Sequence, residues 1–136
     1  MRPVGARIGL IGVMLLLAGS ACAAGHELEC PARAPAEWGG MPGLLNAVQV
    51  VSAKHGETID DTAPPDLVPD NQRTKSGILH SVWRMNADGP EWLFYVWCHY
   101  AGSAHILKLD APGVKRCEYT TSSAHPERPP QQMVCD

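Results

Sequence analysis

The chain has 136 residues, with 11 basic and 14 acidic side chains, a formal charge of −3 and 45% hydrophobic residues. Mild acidity without a run of basic residues excludes a general affinity for nucleic acid or for anionic membrane surfaces. The length suffices for one small domain with a modest core.

Arg2 and Arg7 precede an apolar run from Ile8 to Leu17, and the small-residue stretch AGSACAAG follows. This is the pattern of an export signal cut near Ala24. A retained membrane helix fits less well, because the uncharged run from Ile8 to Gly25 is barely long enough to span a bilayer and ends in small residues. Cys22 opens a minor alternative, a lipid anchor. Ser20 and Ala21 suit lipoprotein processing, but Gly19 stands where a large aliphatic residue is wanted. The expected organisation is therefore a signal peptide over 1–24 and a single exported β-rich domain over 25–136, periplasmic or secreted, with no membrane span in the mature chain. Loss of Arg2 and Arg7 leaves nine basic residues against 14 acidic ones, a formal charge of −5.

Cleavage also removes Cys22 and leaves Cys30, Cys98, Cys117 and Cys135. An even number of cysteines in a small exported domain reads as two disulfides. A four-thiolate zinc site would want close pairs such as C-x2-C, whereas the gaps here are 68, 19 and 18 positions.

Glu27 to Gly43 is rich in Pro, Gly and Ala and reads as an irregular lead-in, with Trp38 as a plug on the domain. Asn46 to Ala53 carries Val48, Val50 and Val51 and predicts the first strand. The stretch 54–77 is polar and broken by Pro64, Pro65 and Pro69, so a long loop is expected, pinned by Leu67-Val68-Pro69. Strands are then predicted at Ile78–Asn86, Glu91–Tyr100, Ala104–Asp110 and Lys115–Thr121, with a last one around Gln132–Cys135 after the polar segment HPERPP. Ala87-Asp88-Gly89-Pro90 suits a hairpin link, and Gly102-Ser103 a type II′ turn. No mature segment keeps a 3.6-residue apolar period. The expected fold is mainly β, a small antiparallel meander folded as a sandwich or a partly open barrel and stapled by two disulfides.

In such a meander the strands of Cys98 and Cys117 flank a common neighbour and lie roughly 9–10 Å apart, too far to bridge. Cys117 and Cys135 lie symmetrically about Pro126 and can face each other across the last hairpin. The preferred pairing is thus Cys30–Cys98 with Cys117–Cys135.

Signals for chemistry are weak. None of the six histidines forms H-x-x-x-H or H-E-x-x-H. There is no G-x-S-x-G, oxidised cysteines are not nucleophiles, and Asp60-Asp61 lies in a polar loop where carboxyls stay solvated. No cofactor, no metal site and no catalytic residue is expected. What remains is the aromatic stretch EWLFYVWCHY, residues 91–100. Alternation places Trp92, Phe94, Val96, Cys98 and Tyr100 on a core face. The other face carries Leu93, Tyr95, Trp97 and His99. If this strand pairs with Ile78–Asn86 as a hairpin, His80 falls opposite Trp97. His80, Val82 and Arg84 then share that second face, and His80 with His99 becomes a weak metal pair. The face is either an accessible ligand site formed by His80, Arg84, Tyr95, Trp97 and His99, or it is covered by a second layer such as the long loop.

Several short motifs recur together: Cys30-Pro31, Trp38, a strand followed by a loop containing Gly56 and running to Leu67-Val68-Pro69, Trp83, Trp92-Leu93, Cys98-x-Tyr100, and Leu107-x-Leu109 before Pro112 and Cys117. With them the chain resembles a family of small exported bacterial proteins of unknown function. Where that family more often has an aromatic-Asp-Gly turn, this chain reads Ala53-Lys54-His55-Gly56-Glu57. The resemblance implies an exported, cysteine-bearing domain and carries no activity or site residue. The functional expectation is a non-enzymatic, monomeric binding module of the cell envelope whose partner is an envelope protein or a small ligand. The alternatives are an inhibitor of a lysozyme-like or other hydrolase acting through Asp60–Asp70, or a small metal-dependent enzyme using His80 and His99.

Overall fold

The computed structural model describes residues 27–85, 89, 91–125 and 131–136. The expected signal peptide over 1–24, Cys22, His26, most of the 86–90 link and the HPERPP segment after Ala124-His125 lie outside the described residues or at their margin. Among the described residues eight strands form: β1 Leu28–Glu29, β2 Leu45–Lys54, β3 Asn71–Lys75, β4 Ile78–Arg84, β5 Trp92–Tyr100, β6 Ile106–Asp110, β7 Arg116–Ser122 and β8 Gln132–Cys135. A single 3-10 turn, Ala36–Trp38, precedes β2.

The strands make two antiparallel sheets, one in the order β1-β8-β7-β4-β3 and one in the order β2-β5-β6. Their inner faces share one core. The five-stranded sheet contributes Trp83, Cys117, Met133 and Cys135, and the three-stranded sheet contributes Val50, Phe94, Val96, Cys98 and Tyr100. This is the sandwich expected from the alternation of β5, whose even-numbered residues are the ones that pack inward.

One expected pairing is not made. Ile78–Asn86 and Glu91–Tyr100 do not form a hairpin, because β4 lies between β3 and β7 while β5 lies between β2 and β6. The chain crosses from one sheet to the other between them. β5 is largely apolar on both faces and β4 mixes apolar residues with His80, Ser81 and Arg84, so neither pattern shows which neighbours its strand has. Each is satisfied on both edges. Trp83 is opposite Cys117 in β7, and β5 pairs with β2 along its whole length, from Lys54↔Trp92 to Leu45↔Tyr100.

A second difference is β3, which the polarity of NQRTK hides inside the expected loop. All five of its residues are exposed. It is held at the sheet edge by pairing with β4 from Asn71↔Val82 to Lys75↔Ile78, through the two-residue turn Ser76-Gly77. Both turn residues have positive φ, 52° and 75°, as a type I′ hairpin turn requires. A charged edge strand of this kind also resists pairing with other chains.

Both expected disulfides form, Cys30–Cys98 with Cα atoms 5.8 Å apart and Cys117–Cys135 at 4.0 Å. The second pair sits in register across β7 and β8. Cys98 and Cys117 fail to pair for a different reason from the one expected: β6 and β7 belong to different sheets, so no common neighbour separates the two strands. The first disulfide ties the irregular lead-in to β5. The Tyr100 hydroxyl, donating to the Pro31 carbonyl at 2.8 Å, ties it again. Trp38 packs edge-on to Tyr100 at 5.8 Å, the plug the sequence suggests. Gly43 belongs to the same closure, since a Cβ there would lie 1.9 Å from the Ala101 carbonyl oxygen. Gly102 is the second central residue of the turn closed by Ser103 N–H donating to Tyr100 O, with φ 73°, and not the first as a type II′ turn would have it.

Candidate functional site

The five residues singled out by alternation end on two opposite outward faces. Tyr95, Trp97 and His99 point out of the three-stranded sheet, and His80 and Arg84 out of the five-stranded one, with the shared core between. His80 therefore meets neither Trp97 nor His99. Among the described residues, no group of three or more His, Cys, Asp or Glu side chains is gathered to hold a metal.

On the three-stranded sheet, the long loop is a cover and not a free arm. Ser52 N–H donates to Pro65 O, Leu67 N–H donates to Val50 O, and Val51 bridges Asp66, so the loop runs along the edge of β2. The Trp83 indole N–H donates to Leu67 O at 2.9 Å and holds the loop from the core side. On the outward face, Gln49, Trp97 and Lys108 form one row across β2, β5 and β6. The Lys108 ammonium lies 4.7 Å from the Trp97 ring centroid and reaches Asp61 of the loop at 2.6 Å. Trp97 is left 2% exposed. At Trp97 the face is covered, with the indole under a cation and the loop, while Leu93, Tyr95 and His99 stay partly exposed.

His99 lies at the margin of that cover. Its Nε2–H donates to Gln49 Oε1 at 2.6 Å, and the Gln49 amide donates to both carboxylate oxygens of Asp66 at 3.0 and 2.9 Å. Burial holds the imidazole below the usual histidine range, and the charge of Asp66 opposes this only in part. A lowered histidine pKa in the folded state means that the unfolded chain binds the extra proton. Stability is then full above about pH 6.5 and declines as pH falls toward the folded value. The His99→Gln variant is expected to flatten the fall of melting temperature between about pH 7 and pH 5. An unchanged slope would show that His99 is not the group responsible.

Among the described residues, none forms such a cover over the outward face of the five-stranded sheet. His80 Nδ1 and Glu118 Oε1 are 2.7 Å apart, and Arg116 reaches the other oxygen of Glu118 at 2.5 Å. These two donors, the His80 bond first, hold the Glu118 carboxyl below its ordinary range. Arg84 stands directly opposite Arg116, and Arg73 directly opposite His80. Arg73, Arg84, Arg116, Asp70, Asn71 and Val82 line a cavity of roughly 440 Å³. Sequence reasoning found His80 and Arg84 but not Arg73, Arg116 or Glu118. These residues are scattered over three strands and are brought together only by the β3–β4 and β4–β7 pairings.

Comparison with curated proteins and with solved structures returned no match. A family model described as "Type VI secretion system Tli immunity protein" matches residues 43–136. The match takes in β2 to β8 and both partners of the Cys117–Cys135 bridge, and leaves out the Cys30 and Trp38 lead-in. It gives a name to the family that the resemblance left unnamed. The chain belongs to the Type VI secretion system Tli immunity protein family.

Proposed function

We propose that the protein is an exported immunity protein that binds an effector of a type VI secretion system in the periplasm and neutralises it by occupying its surface. The observation that carries this reading is the family match over 43–136. Three features support it. The N-terminal basic, apolar and small-residue pattern suits export. Two disulfides suit an oxidising compartment. No helix of the described residues is long and apolar enough to cross a membrane.

This reading joins two of the expectations drawn from the sequence, the binding module and the inhibitor, and makes the effector the partner. His80 and Arg84 belong to the binding surface. Tyr95 and His99, half-buried at the border of the loop, would sit at most on its rim, and Trp97 supports the fold from beneath. Val68, 84% exposed in the segment 60–70, gives the loop one apolar contact to offer as well.

The test is protection. A type VI effector that binds the protein is directed to the periplasm of a susceptible host, with or without the full-length protein. Growth is expected to be restored by the chain with its leader and not by a leaderless version. Protection by neither version, or equal protection by both, would contradict the proposed site of action.

A further inference from the structure

The mature chain is acidic, yet its basic side chains are not evenly spread. The outward row of β3 is Asn71, Arg73 and Lys75, and beside it lie His80 and Arg84 of β4 and Arg116 of β7. Arg73, Lys75, Arg84 and Arg116 are all exposed. Three carboxylate residues border this group, Asp70, Glu118 and Asp136, the last paired backbone to backbone with Arg116, and the first two are engaged. Asp70 accepts a hydrogen bond from the Arg84 backbone N–H at 2.6 Å, and Glu118 is shared by His80 and Arg116. Among the described residues, the guanidinium groups of Arg73 and Arg84 have no carboxylate partner.

Arg84 opposite Arg116 is a like-charge pair at directly facing positions, an arrangement that destabilises a sheet. Glu118 offsets the charge of Arg116, whereas no carboxylate among the described residues pairs with the Arg84 guanidinium. Folding alone would favour an acid or a neutral residue at position 84, whereas an acidic partner would turn the repulsion into attraction.

We propose that the Arg73, Arg84 and Arg116 patch on the outward face of the five-stranded sheet is the docking surface for an acidic patch on the effector. Carboxylates of the partner pair with the Arg73 and Arg84 guanidinium groups in the forked geometry that arginine offers and lysine does not. The cavity between the three arginines receives the first of these carboxylates, and the net negative charge of the rest of the domain keeps the encounter in that orientation. The inference rests on the immunity reading and specifies the face and chemistry of its contact.

The test measures binding of the purified effector to the oxidised, full mature domain, to Arg73→Glu/Arg84→Glu and to Arg73→Lys/Arg84→Lys. Charge reversal is expected to weaken binding roughly a hundredfold, and the lysine pair by less. The reversed variant should keep its circular dichroism spectrum, with a melting temperature equal to or above that of the wild type because the like-charge pair is gone. Association of the wild type should slow as salt is raised. Wild-type affinity in the reversed variant would overturn the patch and leave the immunity reading standing. No binding by the wild type would remove the immunity reading and the patch with it. Phosphatidylglycerol vesicles serve as the second probe. If reversal abolishes vesicle binding while leaving effector binding intact, the patch faces a membrane and the proposal fails.

Discussion

Replacing Cys30 and Cys98 by alanine is expected to cost about 4 kcal/mol of stability, and replacing Cys117 and Cys135 about 3 kcal/mol. The order follows from the chain each bridge closes, 68 residues against 18. A bridge acts chiefly by removing loop-closure entropy from the unfolded chain, and the longer loop loses more. Each figure is a large share of the total stability of a small domain, so the doubly reduced protein should be largely unfolded at physiological temperature. Urea unfolding of the two double variants checks this. A larger loss from the Cys117/Cys135 variant would show that the lead-in tied by Cys30 contributes little to the cooperative unit.

The second large effect concerns the most conspicuous residue of the aromatic strand. Trp97→Ala is expected to destabilise the domain by about 3–5 kcal/mol, because the indole is fully enclosed and its removal leaves a cavity beneath Lys108 and the loop. Arg84→Ala on the opposite face should change stability by no more than about 0.5 kcal/mol. The pair separates structure from binding. Trp97 should lower the unfolding midpoint in urea and affect the effector only through loss of folded protein, while Arg84 should do the reverse. A Trp97→Ala protein of normal stability that no longer binds the effector would restore the aromatic face as a site.

Much of this architecture is legible in the residues. The alternation of β5, the even cysteine count and the Pro/Gly punctuation lead to a two-disulfide β-sandwich, and Trp38 reads correctly as a plug. Three features are not legible, each for a physical reason. The neighbours of β4 and β5 are hidden because the alternation of a central strand carries no mark of whom it pairs with. β3 is hidden because an edge strand with every side chain in water has no apolar alternation, and only its Ser76-Gly77 turn announces it. The third feature, the arginine cluster, is a product of register. Arg73, Arg84 and Arg116 stand far apart in sequence and become neighbours only when β3, β4 and β7 align. The candidate face built from the sequence therefore joined residues that lie on opposite sides of the molecule. The arginine face is half legible in the sequence, through His80 and Arg84.

The central claim is that this domain neutralises an effector by direct contact, and calorimetry of the purified pair tests it most directly. The oxidised domain over 25–136 titrated into a purified type VI effector that it protects against should form a tight one-to-one complex in which effector activity is lost. Heat of mixing indistinguishable from dilution, with effector activity untouched by an excess of folded domain, would contradict the account.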